Sequence, residues 1–205
     1  WVGETWEEHA NIFMTPAVIR DSDAYLRFGH WHEPAQVAFD NVRLTKVQPV
    51  FSHFEEISLG LGERITGNTY HFTTLYDGSN TNYVAPLTAH DCRFNTNRLV
   101  LGDGSYALYR FGVEGRQQLE AQCHVQLFYH FNGILEVEAS VNGQDWLPLG
   151  HLDHDTPQAH FAIPAALLPA DNVYIRIRCE SEAALGPDSD MGAMAVRGVH
   201  FESTI

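Results

Sequence analysis

Residues 119–146 read LEAQCHVQLFYHFNGILEVEASVNGQDW, and they carry the clearest structural signal in the chain. Two runs within them, 119–131 and 134–141, alternate apolar and polar residues, which is typical of strands that bury one face. One Asn-Gly pair stands before the second run, at Asn132-Gly133, and another follows it, at Asn142-Gly143. Asn-Gly is the strongest short hairpin signal, because a type I′ turn needs positive φ at both central residues. The stretch therefore predicts antiparallel strands joined by tight turns.

Strand patterns of the same kind recur at 106–110 (YALYR), 174–178 (YIRIR) and 194–201 (MAVRGVHF). The Ala/Leu stretch 165–168 has room for only one helical turn, because Pro164 and Pro169 bracket it. Many short strands with turn signals between them predict an antiparallel sandwich or barrel. Two long polar segments, 73–98 and 180–192, are predicted to be irregular loops, and loops of this length are usually functional or disordered.

The charge balance indicates which classes of partner the protein can bind. The chain has 26 acidic and 12 basic residues and a net charge of -14. Such a balance argues against a nucleic-acid or anionic-membrane partner and fits neutral or cationic partners, calcium included. No apolar run approaches the ~20 residues that a membrane span needs, so membrane insertion is not expected.

The three cysteines, Cys92, Cys123 and Cys179, lack the CxxC spacing of a zinc site. Cys123 lies within an alternating strand pattern and Cys179 ends another, so both are expected to be buried free thiols. One disulfide among the three remains open if the protein is exported.

The start of the chain resembles its last third, segment by segment and in the same order. Gly3-Glu-Thr-Trp6 matches Gly143-Gln-Asp-Trp146, and Tyr25-Leu-Arg-Phe28 matches Tyr174-Ile-Arg-Ile177. Such a repeat predicts two modules of one type, with residues 1–48 the C-terminal part of a first β-sandwich and residues 51–205 a complete second one. The upstream module of the same polypeptide is then a predicted partner. The alternative is chance similarity between amphipathic strands, with residues 1–48 completing the second sandwich.

The segment Ser140-Val-Asn-Gly-Gln-Asp-Trp146 resembles a hairpin, S-x-D/N-G-x-x-W, that recurs in galactose-binding-like jelly rolls and related β-sandwiches. The segment Phe39-Asp-Asn-Val-Arg-Leu44 is similar to the last strand of carbohydrate-binding modules of that type. The resemblance implies an all-β jelly-roll sandwich, secreted or displayed at the cell surface, that binds oligo- or polysaccharides and often holds a structural calcium ion. Trp146, the one tryptophan after residue 51, is expected to pack in the core, so no row of tryptophans offers a flat sugar platform.

The glycan site is predicted within the polar segment 73–98. Sugars are bound by aromatic faces and planar hydrogen-bonding groups, and this segment supplies both. The predicted ligand-binding residues are Tyr76, Asn80, Asn82, Tyr83, Asn95, Asn97 and Arg98. The alternative is a loop that packs over the edge of the sandwich.

A calcium site is predicted from the resemblance, which implies an ion that ties the first strand of the module to the last. This role is carried over to Glu63 and Glu202, with Asn68 adding a side-chain oxygen. Calcium takes six to eight oxygen ligands, mostly carboxylates and carbonyls. The alternative is two unrelated surface acids, and the acidic segment 180–190 is a second candidate site.

Two further pairs of residues alternate along a strand. Glu136 and Glu138 project from one face, as paired carboxylates of a retaining glycosidase would, but Ser140 stands where a third acid is wanted. His30 and His32 could likewise share a transition metal. A solvated strand face is expected for the first pair and a solvent-facing strand end for the second, and no catalytic residue is predicted.

The leading function from sequence is a non-catalytic carbohydrate-binding module of a larger secreted or cell-surface multi-module protein, which could accompany an enzyme. A structural spacer or assembly module is the runner-up. A jelly-roll glycosidase or polysaccharide lyase is the third candidate function.

Overall fold

A computed structural model describes residues 5–8, 10, 12–15, 38–47, 50–74, 76, 83–95, 98–181 and 192–205. Within these ranges the regular secondary structure is almost wholly β-strand. The strands are β1 (Ser52–Phe54), β2 (Ile57–Leu59), β3 (Glu63–Thr66), β4 (Thr69–Thr73), β5 (Leu87–His90), β6 (Arg93–Asn95), β7 (Arg98–Leu101), β8 (Tyr106–Phe111), β9 (Glu120–His130), β10 (Ile134–Ser140), β11 (Leu147–Leu152), β12 (Gln158–Ala162), β13 (Val173–Glu180) and β14 (Met194–Thr204). The predicted single helical turn is confirmed as a 3₁₀ turn at Ala165–Leu167. None of the helical segments described is both long and apolar enough to cross a membrane.

The strands form two main antiparallel sheets. The five-stranded sheet has the order β11-β10-β13-β8-β5, and the seven-stranded sheet has the order β12-β9-β14-β4-β3, with β7 pairing with β14 and β6 with β7. From β8 onward the chain passes repeatedly between the sheets, and its last two strands insert into the middle of each. The orders β4-β14-β9-β12 and β8-β13-β10-β11 are those of a jelly roll, which confirms the predicted all-β sandwich.

The core lies between the sheets and is lined by the inward residues of each alternating strand. β13 shows the alternation most clearly, because Val173, Ile175, Ile177 and Cys179 are buried while the residues between them are only partly covered. Aromatic rings fill the centre, where the Phe111 and Phe201 rings stack with centroids 4.0 Å apart. Cys92, Cys123 and Cys179 are buried and unpaired, which confirms the expectation for Cys123 and Cys179.

Both Asn-Gly pairs play roles other than the predicted type I′ turn. Asn132-Gly133 joins β9 to β10, which lie in different sheets, so it is a crossover between the layers. Asn142-Gly143 does lie between paired strands, but the connection runs over residues 141–146. Gly143 has a φ of 71°, whereas Asn142 is not among the described residues with positive φ. The Asn142 side chain instead accepts hydrogen bonds from the backbone N–H groups of Gln144 and Asp145, both at 2.9 Å, and these bonds stabilise a longer loop.

Trp146 is not part of the core, so the sequence prediction for it is wrong. Its ring lies against the Arg176 guanidinium, whose central carbon is 4.2 Å from the ring centroid. Arg176 alternates with the buried residues Ile175 and Ile177, which places the Trp146–Arg176 pair on the outer face of the five-stranded sheet. The longer loop after β10 carries Trp146 over that face.

The predicted irregular segment 73–98 contains two strands, β5 and β6, so that part of the prediction is also wrong. β5 extends the five-stranded sheet, and β6 pairs with β7 at the edge of the other sheet. Most of the second predicted loop, residues 182–191, lies outside the described residues.

The described parts of residues 1–48 form no named strand. Met14 packs against the sandwich core, and its carbonyl oxygen lies 3.3 Å from Nε2 of the buried His90. His30 and His32 fall outside the described residues. The division of the chain into a partial and a complete module stays a prediction.

Candidate functional site

The outer face of the seven-stranded sheet presents an unusual set of polar side chains. Cys123 and Val125 of β9 point into the core, so Gln122, His124 and Gln126 point outward. The same alternation on the neighbouring strands places His160 of β12 outward, together with His200 and Glu202 of β14 and His71 and Thr73 of β4.

The strand register aligns three of these histidines across the sheet. His160 pairs with His124, and His124 pairs with His200, which in turn lies opposite Thr73. The His124 and His160 rings stack with centroids 4.2 Å apart and an interplanar angle of 14°. The His200 ring lies 5.3 Å from that of His124, and its Nδ1 is 3.2 Å from Thr73 Oγ1. We call His160, His124 and His200 the histidine row.

A second row runs beside the first and consists of Gln122, Glu202, His71 and Arg64 on β9, β14, β4 and β3. His71 Nδ1 lies 3.1 Å from Glu202 Oε2, and Gln122 Nε2 donates to Glu202 Oε1 at 3.5 Å. We call this set the polar row. The two rows line a groove with a volume of about 280 Å³.

Two imidazoles of the histidine row, those of His124 and His200, have a lowered pKa. Burial lowers the pKa of His124, and the nearby His160 and His200 lower it further. Burial likewise lowers the pKa of His200, with a second contribution from His160. A neutral imidazole offers one N–H donor and one acceptor nitrogen in a single plane. The row can therefore present planar hydrogen-bonding groups to a ligand that lies across the strands.

An aromatic surface continues the same face toward the end of β9. Phe128 points outward four residues after His124, about 14 Å further along the strand. Its side chain is 47% exposed, and the Arg98 guanidinium carbon lies 4.7 Å from the ring centroid. Beside it is a cavity of about 370 Å³ whose walls include Phe128, His130, Asp153, His154 and Pro157.

The residues predicted to bind a glycan do not form one site in the described structure. Tyr76 is buried, with its hydroxyl 3.2 Å from that of Tyr109 and its ring against Phe94, which argues against a direct ligand contact. Tyr83 is partly buried, and Arg98 lies over Phe128 on the outer face of the seven-stranded sheet. Asn95 belongs to β6, and the remaining three, Asn80, Asn82 and Asn97, lie outside the described residues.

The predicted calcium ligands are not brought together. Glu63 pairs with the buried Phe72 and shares its face, where it accepts hydrogen bonds from the Tyr70 hydroxyl at 2.7 Å and the Gly60 N–H at 2.5 Å. Glu202 pairs with His71 and therefore faces outward. Two carboxylates on opposite faces of a sheet cannot share one ion, and Asn68 lies in the exposed β3–β4 turn. No group of three or more His, Cys, Asp or Glu suited to a metal occurs among the described residues, and a structural calcium stays a prediction.

Glu136 and Glu138 share the outer face of the five-stranded sheet, as predicted. Glu138 pairs with Arg176 at 2.7 Å, and Glu136 pairs with Arg178 at 2.5 Å. Arg178 also contacts Glu180 at 2.8 Å. The two carboxylates thus belong to a cross-strand ladder of ion pairs on a strand face, as expected, but Glu138 is buried there and not solvated.

Comparison with known proteins finds no matching family and a weak structural similarity. No family model matches the chain, and no curated protein matches it. Among solved structures it is similar to a family GH115 4-O-methyl-alpha-glucuronidase with specificity for decorated arabinogalactans. The likeness is weak, with 11% identity and a TM-score of 0.38, and it covers 57% of this chain and 16% of that enzyme.

Proposed function

We propose that this protein is a non-catalytic carbohydrate-binding module with a galactose-binding-like jelly roll, and that it belongs to a larger secreted or cell-surface protein. The glycan lies on the outer face of the seven-stranded sheet, across the histidine row. This location replaces the segment 73–98 as the leading candidate, while Arg98 is kept at its edge.

One observation carries the proposal, which is the open groove formed by the histidine row and the polar row. A pyranose offers pairs of hydroxyls, and these are recognised by side chains with planar donors and acceptors such as imidazole, amide and carboxylate groups. The groove supplies these groups at His124, His160, Gln122 and Glu202. Phe128 adds an exposed aromatic face on the same side, of the kind that covers the C–H patches of a sugar.

Glycan binding is tested with a panel of soluble polysaccharides in affinity gel electrophoresis, followed by calorimetry on those that retard the protein. The variants His124→Ala and His160→Ala should each weaken binding by about fivefold, because each removes hydrogen bonding worth about 1 kcal/mol. The matched control is His151→Ala, since His151 is exposed on β11 in the opposite sheet.

Unchanged thermal unfolding of each variant shows that the fold is intact. The proposal fails if no polysaccharide binds, and the location fails if His124→Ala and His160→Ala bind as tightly as the unaltered protein.

A spacer or assembly module is the second candidate, and exposed apolar residues before the sandwich favour it. In residues 38–51 the apolar side chains that are about half exposed or more are Phe39, Val42, Leu44, Val47, Val50 and Phe51. Clustered apolar exposure of this kind is typical of surfaces that contact another module. An assembly module would bind no glycan in the panel and would self-associate with rising concentration in light scattering.

A further inference from the structure

The seven-stranded sheet has a charge balance opposite to that of the chain as a whole. The chain has a net charge of -14. The seven strands of this sheet contain three carboxylates, Glu63, Glu120 and Glu202, of which Glu63 faces the core. The same strands contain four arginines and five of the twelve histidines, which are Arg64, Arg93, Arg98, Arg197, His71, His124, His130, His160 and His200. Without any charge on the histidines, the four arginines of these strands still exceed the two carboxylates that do not face the core, so this sheet attracts anions locally on an otherwise acidic protein.

Among the described residues that line the groove, Glu202 is the one carboxylate, and it is already engaged. Its Oε1 accepts a hydrogen bond from Gln122 and its Oε2 lies 3.1 Å from His71 Nδ1, so both oxygens have protein partners. The neighbouring residue in the register is Arg64, which pairs with His71 and lies at the end of the groove. The Arg64 side chain is exposed and makes no ion pair or hydrogen bond within the described part of the chain. A free guanidinium presents a planar fork of donors that fits the oxygens of a carboxylate or sulfate.

The histidine row suits the same chemistry. Its imidazoles offer N–H donors side by side, and His124 lies between His160 and His200. The described groups nearest to His124 along its own strand are the neutral amides of Gln122 and Gln126. An anionic group above the row would therefore meet donors and no carboxylate until it reached Glu202 in the next row.

We propose that the glycan bound in this groove is acidic, with Arg64 holding a carboxylate or sulfate of the sugar and the histidine row donating to its other oxygens. This inference rests on the proposed glycan-binding function and adds the substrate class to it. The shared chemistry is a sugar-borne oxyanion, and the experiment separates its two sources.

The probes are polygalacturonate and chondroitin sulfate. The neutral counterpart of polygalacturonate is its carboxyl-reduced form, and that of chondroitin sulfate is its desulfated and carboxyl-reduced form. Binding is measured by calorimetry in EDTA, which removes bridging by calcium. At least one acidic polymer should bind about tenfold more tightly than its neutral counterpart, and the difference should shrink in about 0.5 M salt as screening weakens exposed charge pairs. Desulfated chondroitin that keeps its carboxylates separates the two sources, because loss of binding on desulfation alone identifies the sulfate as the recognised group and binding that survives desulfation identifies the carboxylate.

Arg64→Gln should remove most of this difference, so that an acidic polymer binds about as tightly as its neutral counterpart. Arg110→Gln is the matched control, because Arg110 is exposed on the outer face of the five-stranded sheet and loses the same charge. Equal binding of acidic and neutral polymers would overturn the acidic class and leave the proposed function standing, whereas failure of every polymer in the wider panel would remove both. A preference for acidic polymers that survives Arg64→Gln would overturn the role of Arg64.

Discussion

The stacked imidazoles of His124 and His160 are the most distinctive side-chain arrangement on the molecular surface. Parallel rings with centroids 4.2 Å apart tolerate two neutral imidazoles well and two imidazolium ions poorly, since like charges at this distance repel. His200 adds a third ring at 5.3 Å from His124. The pKa values of His124 and His200 are lowered in the folded protein, and this should be visible in the pH dependence of stability of the ligand-free protein.

The first prediction concerns pH and His124. The pKa of His124 is lowered in the folded protein by burial and then by His160 and His200, while in the unfolded chain it lies near 6.5. Above pH 6.5 the residue is neutral in both states and has no effect. Below that value the unfolded chain takes up the proton more readily, so the free energy of unfolding falls as the pH drops.

Urea unfolding of the unaltered protein and of His124→Gln measures this effect between about pH 7.5 and 5. The variant should lose less stability over this interval than the unaltered protein, because glutamine does not titrate. The control, His151→Gln on the opposite sheet, should follow the unaltered protein. Parallel curves of unfolding free energy against pH for all three proteins would show that folding does not disfavour protonation of His124.

The crossover between β9 and β10 depends on one residue, Gly133. Gly133 has a φ of 81°, in the left-handed region that glycine adopts without steric cost. A Cβ at this position would lie 2.2 Å from the Glu180 carbonyl oxygen. The chain can pass from one sheet to the other here only because residue 133 lacks a side chain.

The second prediction compares Gly133→Ala with Gly115→Ala. Both glycines have positive φ, but a Cβ at Gly115 meets nothing within 4 Å, so that variant measures the backbone cost alone. We expect a loss of about 1 kcal/mol for Gly115→Ala and of about 3 kcal/mol or more for Gly133→Ala, because the second also forces the strands apart. Chemical denaturation measures both. Equal losses would show that the β9–β10 joint relaxes freely.

Both sheets contribute to one core among the described residues, and three thiols lie at separate points within it. Cys123 lies on β9 of the seven-stranded sheet, Cys179 on β13 of the five-stranded sheet, and Cys92 between β5 and β6. Burial raises the pKa of each thiol to about 12. The thiolate is the reactive form, so all three should be inert in the native protein.

The third prediction is that an aromatic disulfide reagent at about pH 8 labels the native protein slowly and labels three thiols at once after denaturation. In increasing urea the labelling rate should follow the global unfolding transition, because no thiol is reached without opening the core. Rapid labelling of one thiol in the native protein would instead reveal local opening, and peptide mapping would show whether it occurs at Cys92, outside the two long strands.

The sequence by itself determined the strands that cross the core, and β8, β9, β10, β13 and β14 lie within a few residues of where the alternating patterns predict them. It also predicted that Cys123 and Cys179 are buried free thiols. These features follow from which face of a strand is apolar, and that information is local. The turn at residues 165–167 is local for the same reason, since two prolines bound it.

Only the tertiary structure decided which strands are neighbours. An Asn-Gly pair has the same local preference in a hairpin and in a crossover, so Asn132-Gly133 could not be assigned without knowing that β9 and β10 lie in different sheets. Trp146 was misplaced because the loop after β10 is longer than the motif implies. The histidine row was missed because His160, His124 and His200 meet only through the pairing of β12, β9 and β14, and register between strands distant in sequence is set by packing of the whole sandwich.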